Sequence, residues 1–260
     1  MNTVSFGRRQ VEEQEKEHLV RAVFDSVAPQ YDLMNDLMSA GIHRIWKSVL
    51  LDRLAPQPGQ TLLDVAGGTG DIAEGFLARA AARNPRGRSP ATAIVMDINH
   101  SMLVAGAERT KRPEDKTLVA EDGSPLLRVC GNAEELPFPD RSVDKVTIAF
   151  GIRNVTRRAA ALAEFHRVLK TGGQFICLEF SRPITATMEK LYYLYAENMI
   201  PRLGAWVAKD RDSYDYLVES IKRFPPQDAF ALEVQGAGFQ RVKVENMSAG
   251  VASLHSGWKY

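Results

Sequence analysis

Two acids, a run of glycines and an amide stand at the ends of short apolar segments of this chain, where they can do binding chemistry. Asp64 sits inside the apolar run Leu62 to Ala66. Gly67, Gly68 and Gly70 follow it, with Thr69 between them. From Asp71 the pattern turns helical, with Ile72, Phe76 and Leu77 spaced to share a face. A strand, a glycine turn and a helix in that order form a site for a nucleotide-type ligand. Glycines let backbone approach the ligand closely, and the helix N-terminus presents unpaired N–H groups. Gly68-x-Gly70-x-x-Ala73 also fits the dinucleotide fingerprint, so this stretch alone leaves a nicotinamide dehydrogenase open. Asp64 points elsewhere: an acid there can organise the loop or engage a cationic amino acid group. S-adenosyl-L-methionine has such a group, together with a sulfonium and no pyrophosphate.

The second acid, Asp97, ends the predicted strand Ala93 to Met96, where a carboxylate can accept hydrogen bonds from both hydroxyls of a ribose. Asn132 falls just past a third strand, Leu126 to Cys130, at the lip of the same cleft, where an amide can read an adenine edge. The elements that hold these residues continue with a strand at Val143 to Phe150, a helix at 157–169 and a strand at Gln174 to Phe180. Lys170-Thr-Gly-Gly between the last two reads as a glycine C-cap. A helix beginning at Phe224-Pro-Pro-Gln ends near Gly236, and Phe239 to Met247 and Val251 to Trp258 read as an antiparallel pair closing the sheet. Upstream, residues 1–20 are polar and read as a frayed helix or an unstructured start, and Gly41-Ile-His-Arg-Ile-Trp-Lys opens a helix running to Leu54. The segment Val23 to Met38 and this helix form a cap that either only packs or supplies Tyr31, Asp32, Asn35 and His43 to the cleft.

Composition bounds the rest. The chain has 260 residues, 45% hydrophobic, enough for one large α/β domain. A formal net charge of +1 does not suggest a nucleic-acid binder. The charged first twenty residues lack the apolar core of a secretory signal, and no run reaches membrane-spanning length. Cys130 and Cys177 show no metal-type spacing, no metal site is expected, and both read as buried thiols of a reducing cytosol.

Several longer segments carry a resemblance. Val23-Phe-Asp-Ser-Val-Ala-Pro-Gln-Tyr-Asp-Leu-Met-Asn, Asp64-Val-Ala-Gly-Gly-Thr-Gly-Asp, Gly131-Asn-Ala-Glu-Glu-Leu-Pro-Phe-Pro-Asp and Phe150-Gly-Ile-Arg-Asn-Val are four of them. His166-Arg-Val-Leu-Lys-Thr-Gly-Gly, Tyr214-Asp-Tyr-Leu-Val-Glu-Ser-Ile and Gly250-Val-Ala-Ser-Leu-His-Ser-Gly complete the set. With them the chain resembles the class I S-adenosylmethionine-dependent methyltransferases, and within these the UbiE family of ubiquinone/menaquinone biosynthesis C-methyltransferases. The resemblance implies a Rossmann-like α/β fold: a seven-stranded, mostly parallel sheet with an antiparallel C-terminal hairpin, helices on both faces and an N-terminal helical cap. One domain is expected, with the cap at 1–55, a cofactor-binding core at 56–182, a helical lid at 183–224 and the last helix and closing strands at 225–260.

The implied reaction is methylation of a ring carbon of a prenylated quinol, a benzoquinol or a demethylmenaquinol. An ionised hydroxyl drives the ortho carbon onto the sulfonium methyl. Implied cofactor contacts fall on Thr69, Asp97, Asn132 and Ala133, while a serine of the family pattern is Ala149 here. Arg153, with Asn154 beside it, is the expected electrostatic partner of the phenolate; arginine stays protonated and so is not its base. Tyr31, Asp32 and His43 are the expected proton handlers. Expected partners are the quinol, a transient membrane surface, and a quinone-biosynthesis complex or a homodimer, with no nucleic acid. The expected location is the cytoplasm, peripherally on the inner membrane, through an aromatic lid whose Tyr192, Tyr195 and Met199 form one stripe beside Arg202, Lys209 and Arg211. A non-catalytic member of such a complex, or a methyltransferase of another small-molecule class, remains the alternative.

Overall fold

The computed structural model describes residues 3–6, 9–12, 15–16, 18–20, 39, 41–84, 89–110, 126–185, 190, 192, 194 and 211–260. Tyr31, Asp32 and Asn35 of the cap, and Tyr195, Met199, Arg202 and Lys209 of the lid, lie outside the described residues.

The first elements correct the sequence reading. Strands β1 (Thr3–Phe6) and β2 (Arg9–Glu12) pair antiparallel, with Val4 opposite Val11. The alternation of polar and apolar residues was the signal, and the high charge of the segment hid it. Helix α1 (His43–Leu54) follows, burying Trp46, Leu50 and Leu54 at four-residue spacing. It stops where Ala55 turns left-handed and its N–H bonds back to the Leu51 carbonyl. The edge of the Trp46 ring stands on Phe180, with centroids 5.9 Å apart, which sets the helix against the sheet.

Next come β3 (Thr61–Val65), α2 (Asp71–Ala82), β4 (Thr92–Asp97), α3 (His100–Thr110), β5 (Leu126–Cys130) and β6 (Val143–Ala149). The order ends with α4 (Arg158–Val168), β7 (Leu169–Phe180), α5 (Arg211–Arg223), α6 (Gln227–Gly236), β8 (Gln240–Met247) and β9 (Ala252–Trp258). The seven strands lie in the order β5-β4-β3-β6-β7-β9-β8. Neighbours from β5 to β7 are parallel, while β9 runs antiparallel between β7 and β8. Both faces are covered, so strand residues divide alternately between two cores. Leu62, Ile176 and Leu178 join Trp46, Phe76 and Ile221 on one side; Leu63, Phe175 and Cys177 join Phe165 and Phe230 on the other.

Two local readings change. Helix α4 has no glycine cap: it ends at Val168, Leu169 is already extended, and β7 begins there opposite Val143. Gly172, at φ +80°, instead bends the start of β7, where its N–H bonds to the Lys259 carbonyl. Cys177 is buried as read, and burial pushes its thiol well up, but Cys130 is exposed at the end of an edge strand.

Candidate active site

Parallel strands deliver their C-terminal ends to one edge of the sheet, and the binding residues gather there. After β3 the chain turns through 66–70: the Gly67 N–H donates to the Met96 carbonyl and the Gly70 N–H to the Gly67 carbonyl. Gly70, at φ +100°, launches α2 from a conformation that a side chain would strain. A Cβ on Gly67 would stand 2.8 Å from Asp64 Oδ2, so only glycine lets the loop close over that acid. The loop is pinned from β4. Asp97 Oδ2 accepts the Gly68 N–H at 2.9 Å and Oδ1 accepts the Asn99 N–H at 2.8 Å. Burial raises the Asp97 pKa, and these bonds oppose that shift.

An open cleft of about 850 Å³ runs over this edge, lined by Gly68, Asp97, Met102, Asn132, Ala133 and Asn154 among others. Val20, Met96, Ile98 and Phe150 add apolar wall. Asn132 Oδ1 accepts the Glu134 N–H at 2.9 Å. The Glu134 carboxylate accepts the N–H groups of Thr156 and Arg157, tying the two lips of the cleft together. A smaller pocket lies beside the glycine loop, lined by Lys47, Asp64, Gly67, Thr69, Asp71 and Ala149; Ala66 lines both.

The small pocket is charged. Asp64 is 1% exposed; its Oδ1 accepts the Thr147 hydroxyl at 2.7 Å, and its Oδ2 is buried with no hydrogen-bond partner among the described residues. Burial raises its pKa to about 7, against the pull of the Thr147 bond and the Lys47 charge. Asp71 behaves oppositely: burial opposes its ionisation, but Lys47 and Arg109 outweigh that and hold it at about 2. Arg109 also donates to Thr69 Oγ1 at 3.3 Å and pairs with Glu74, bracing α3 against the glycine loop.

The structure thus brings Gly68, Asp97, Asn132, Ala133 and Asn154 to the cleft, and Asp64, Gly67 and Thr69 to the adjoining pocket. Gly70 shapes the loop and lines neither. Two expected catalytic residues stand apart. His43 is 2% exposed, within 2.9 Å of Ser39 Oγ through Nδ1, and lines neither pocket. Arg153, in a short 3-10 turn after β6, also lines neither. Its guanidinium meets Glu179 Oε1 at 2.6 Å and donates to the Phe150 carbonyl and Ser220 Oγ. Glu179 is fully buried, and an acid alone in an apolar strand was the sequence signal for a buried ion pair. Tyr216 and Ser220, one turn apart on α5, grip the same turn: the Tyr216 hydroxyl donates to Asn154 Oδ1 at 3.0 Å. Burial pushes the Tyr216 hydroxyl up to about 12, so it stays a donor. Lys47 and Arg109 went unread, because nothing local marks which surface cation turns toward a loop two elements away.

Residues 3–259 match the ubiE/COQ5 methyltransferase family. The chain belongs to that family. A ubiquinone/menaquinone biosynthesis C-methyltransferase UbiE of Caulobacter vibrioides is 51% identical over 257 residues, covering 98% of each chain. Among solved structures, a SAM-dependent methyltransferase from Thermotoga maritima superposes with a TM-score of 0.59 at 18% identity, over 92% of this chain and 99% of the other. The [4+2]-cyclase SpnF superposes at 0.58 with 15% identity, over 92% and 94%. That a cyclase shares the fold means that fold alone does not decide the reaction. The ubiE/COQ5 assignment rests instead on sequence shared along the whole chain. Ala149 lines the small pocket without a hydroxyl to offer.

Proposed function

We propose that this methyltransferase uses S-adenosyl-L-methionine to methylate a ring carbon of a prenylated quinol in ubiquinone or menaquinone biosynthesis. One observation carries the choice of cofactor: Asp64, which lines the pocket beside the glycine loop, has a buried carboxylate oxygen, Oδ2, with no hydrogen-bond partner among the described residues. Asp71 and Glu74 occupy the first turn of α2, and Asp64 lies buried beneath the loop. Lys47 and Arg109 offset the charges of Asp71 and Glu74, which leaves Asp64 as the acid that draws in a ligand with an ammonium. The buried Asp64 Oδ2 is the acceptor that such an ammonium needs. The Asp97 oxygens keep lone pairs for ribose hydroxyls, and the Asn132 amide keeps its NH2 donors for an adenine edge. Apolar residues such as Met96, Ile98 and Met102 wall the cleft where a base would lie.

When bound, the cofactor supplies an electrophilic methyl on a sulfonium. The protein then has to hold the quinol ring carbon in line with it, keep water out and stabilise the ionised hydroxyl. Asn154 is the residue at the cleft for the last task, and Tyr216 fixes its amide. Arg153 acts from behind it. Its charge is largely balanced by Glu179, and its bond to the Phe150 carbonyl sets the backbone of the turn. The aromatic sequence of 191–216 suits binding of the prenyl tail and a reversible contact with a membrane surface. Among the described residues no helix is long and apolar enough to cross a membrane.

The test is methyl transfer from labelled S-adenosylmethionine to short-chain benzoquinols and demethylated naphthoquinols, with NAD titrated in parallel. Labelled quinol from either series is the expected result. A protein that binds the cofactor yet methylates no quinol would sink the substrate assignment, and tight NAD binding would sink the cofactor. Flotation with anionic vesicles at low and high salt tests the membrane contact, which is abandoned if the protein never floats.

A further inference from the structure

Strands β5 and β6 are separated in the sheet by β4 and β3, so the loops that follow them are not joined by strand pairing. The loop after β5 carries Asn132, Ala133 and Glu134, and the turn after β6 carries Asn154, Val155 and Thr156; all six line the cleft. On the proposed function the first meets adenine and the second meets the quinol. Glu134 joins them. Its Oε1 accepts the N–H groups of Thr156 at 3.0 Å and Arg157 at 2.8 Å, and its Oε2 accepts the Arg157 Nε–H at 2.7 Å.

Both ends of this link are stiff. Asn132 Oδ1 accepts the N–H of Glu134 itself, and the Asn132 carbonyl accepts the Glu135 N–H, so the amide that reads the base and the joining carboxylate share one tight turn. Across the cleft the Asn154 N–H bonds to the Gly151 carbonyl and the Val155 N–H to the Ile152 carbonyl, which winds 151–155 into one unit. Helix α4 starts directly after it, and its N-cap residue, Arg157, makes no side-chain cap. Glu134, 22 positions before Thr156, brings the acceptor and the negative charge that a helix start calls for. The flank of α4 holds the same loop further on. Glu164 Oε2 accepts the Leu136 N–H at 2.7 Å, and Arg167 donates to the carbonyls of Leu136 and Phe138. Loop 132–138 is therefore bonded to α4 and to the turn that feeds it.

We infer that Glu134 is a positioning residue that couples the two halves of the site. A ligand seated on Asn132 fixes the loop after β5, and through Glu134 it fixes the turn that presents Asn154 to the quinol. The inference rests on the proposed reading of both ligands. A Glu134 that only steadied the fold would leave the two affinities independent of each other.

Calorimetric titration of a short-chain benzoquinol, kept reduced under argon, with and without saturating adenosine separates these roles. Adenosine brings base and ribose to the Asn132 loop but has no sulfonium or amino acid end to touch the quinol. In wild type it should tighten quinol binding by about fivefold or more, the range of a coupling between sites, and quinol should tighten adenosine equally. In Glu134→Ala that enhancement should fall to within about twofold. It should fall likewise in Glu134→Asp, whose carboxylate is one carbon short of the Thr156 and Arg157 N–H groups. Glu134→Gln keeps a carbonyl for both N–H groups and should retain most of it. A wild type without enhancement, or full enhancement in the alanine and aspartate variants, overturns the link while leaving both ligand readings intact. A wild type that binds neither adenosine nor S-adenosylmethionine, or no quinol, overturns the proposed function and this inference together.

Discussion

Asp64 and Asp97 lie near the C-terminal ends of neighbouring parallel strands, two positions apart in register, and both are buried. Their surroundings differ. Each oxygen of Asp97 receives a backbone N–H, from Gly68 and Asn99, so it is part of the framework that shapes the loop. Asp64, which lines the small pocket, receives one hydroxyl on one oxygen, and the other has no hydrogen-bond partner among the described residues. The first acid stabilises the empty protein, and the second destabilises it until a cation arrives. A site can thus hold two carboxylates a few residues from one glycine loop and give them opposite thermodynamic roles.

A third acid at the same sheet edge marks the extreme of full pairing. Glu179→Gln leaves Arg153 charged and buried without its counter-ion, so unfolding free energy should drop by about 3–5 kcal/mol in denaturant titration. A loss under about 1 kcal/mol would mean that water already reaches the pair.

The Asn swap then tests the comparison directly. Asp97→Asn turns an NH2 toward a backbone N–H, whichever way the amide lies, and should cost about 1–3 kcal/mol of stability. Asp64→Asn keeps the Thr147 bond through its carbonyl, so the empty protein should be at least as stable, yet cofactor affinity should fall about 10- to 100-fold. Equal destabilisation by both swaps would erase the distinction.

Titration sharpens it further. An acid with a raised folded-state pKa holds its proton more tightly folded than unfolded. Ionising Asp64 therefore lowers stability progressively from about pH 4, its unfolded value, to about 7, and by a constant amount above. The stability gained by Asp64→Asn should grow over that window and then level off. Cofactor affinity of wild type should weaken as pH falls below about 7, by up to tenfold per unit, because the ammonium needs the ionised acid. A flat affinity between pH 5 and 8 would remove Asp64 from the ammonium site.

The smallest effect belongs to Tyr216→Phe, which removes one hydrogen bond to Asn154 and should cost about 0.5–1.5 kcal/mol. Turnover should fall more than cofactor affinity, since Asn154 and not the loop is loosened. An unchanged kcat would detach α5 from the reaction.

The sequence by itself determined the order of strands and helices, the glycine loop with Asp64 and Asp97 at adjacent strand ends, and the position of Asn132. These are legible because apolar periodicity and glycine conformational limits act over a few residues. It missed the β1–β2 pairing and misread the glycine pair in β7 as a helix cap, where pairing with distant strands overrode local preference. Only the tertiary structure decided that Arg153 turns to Glu179 and not to the cleft, that Tyr216 and Ser220 hold that turn, and that Lys47 enters the small pocket from α1. Such choices depend on which charge lies across a packed interface, and residues 24 to 67 positions apart in the chain carry no mark of that nearness until the core has formed.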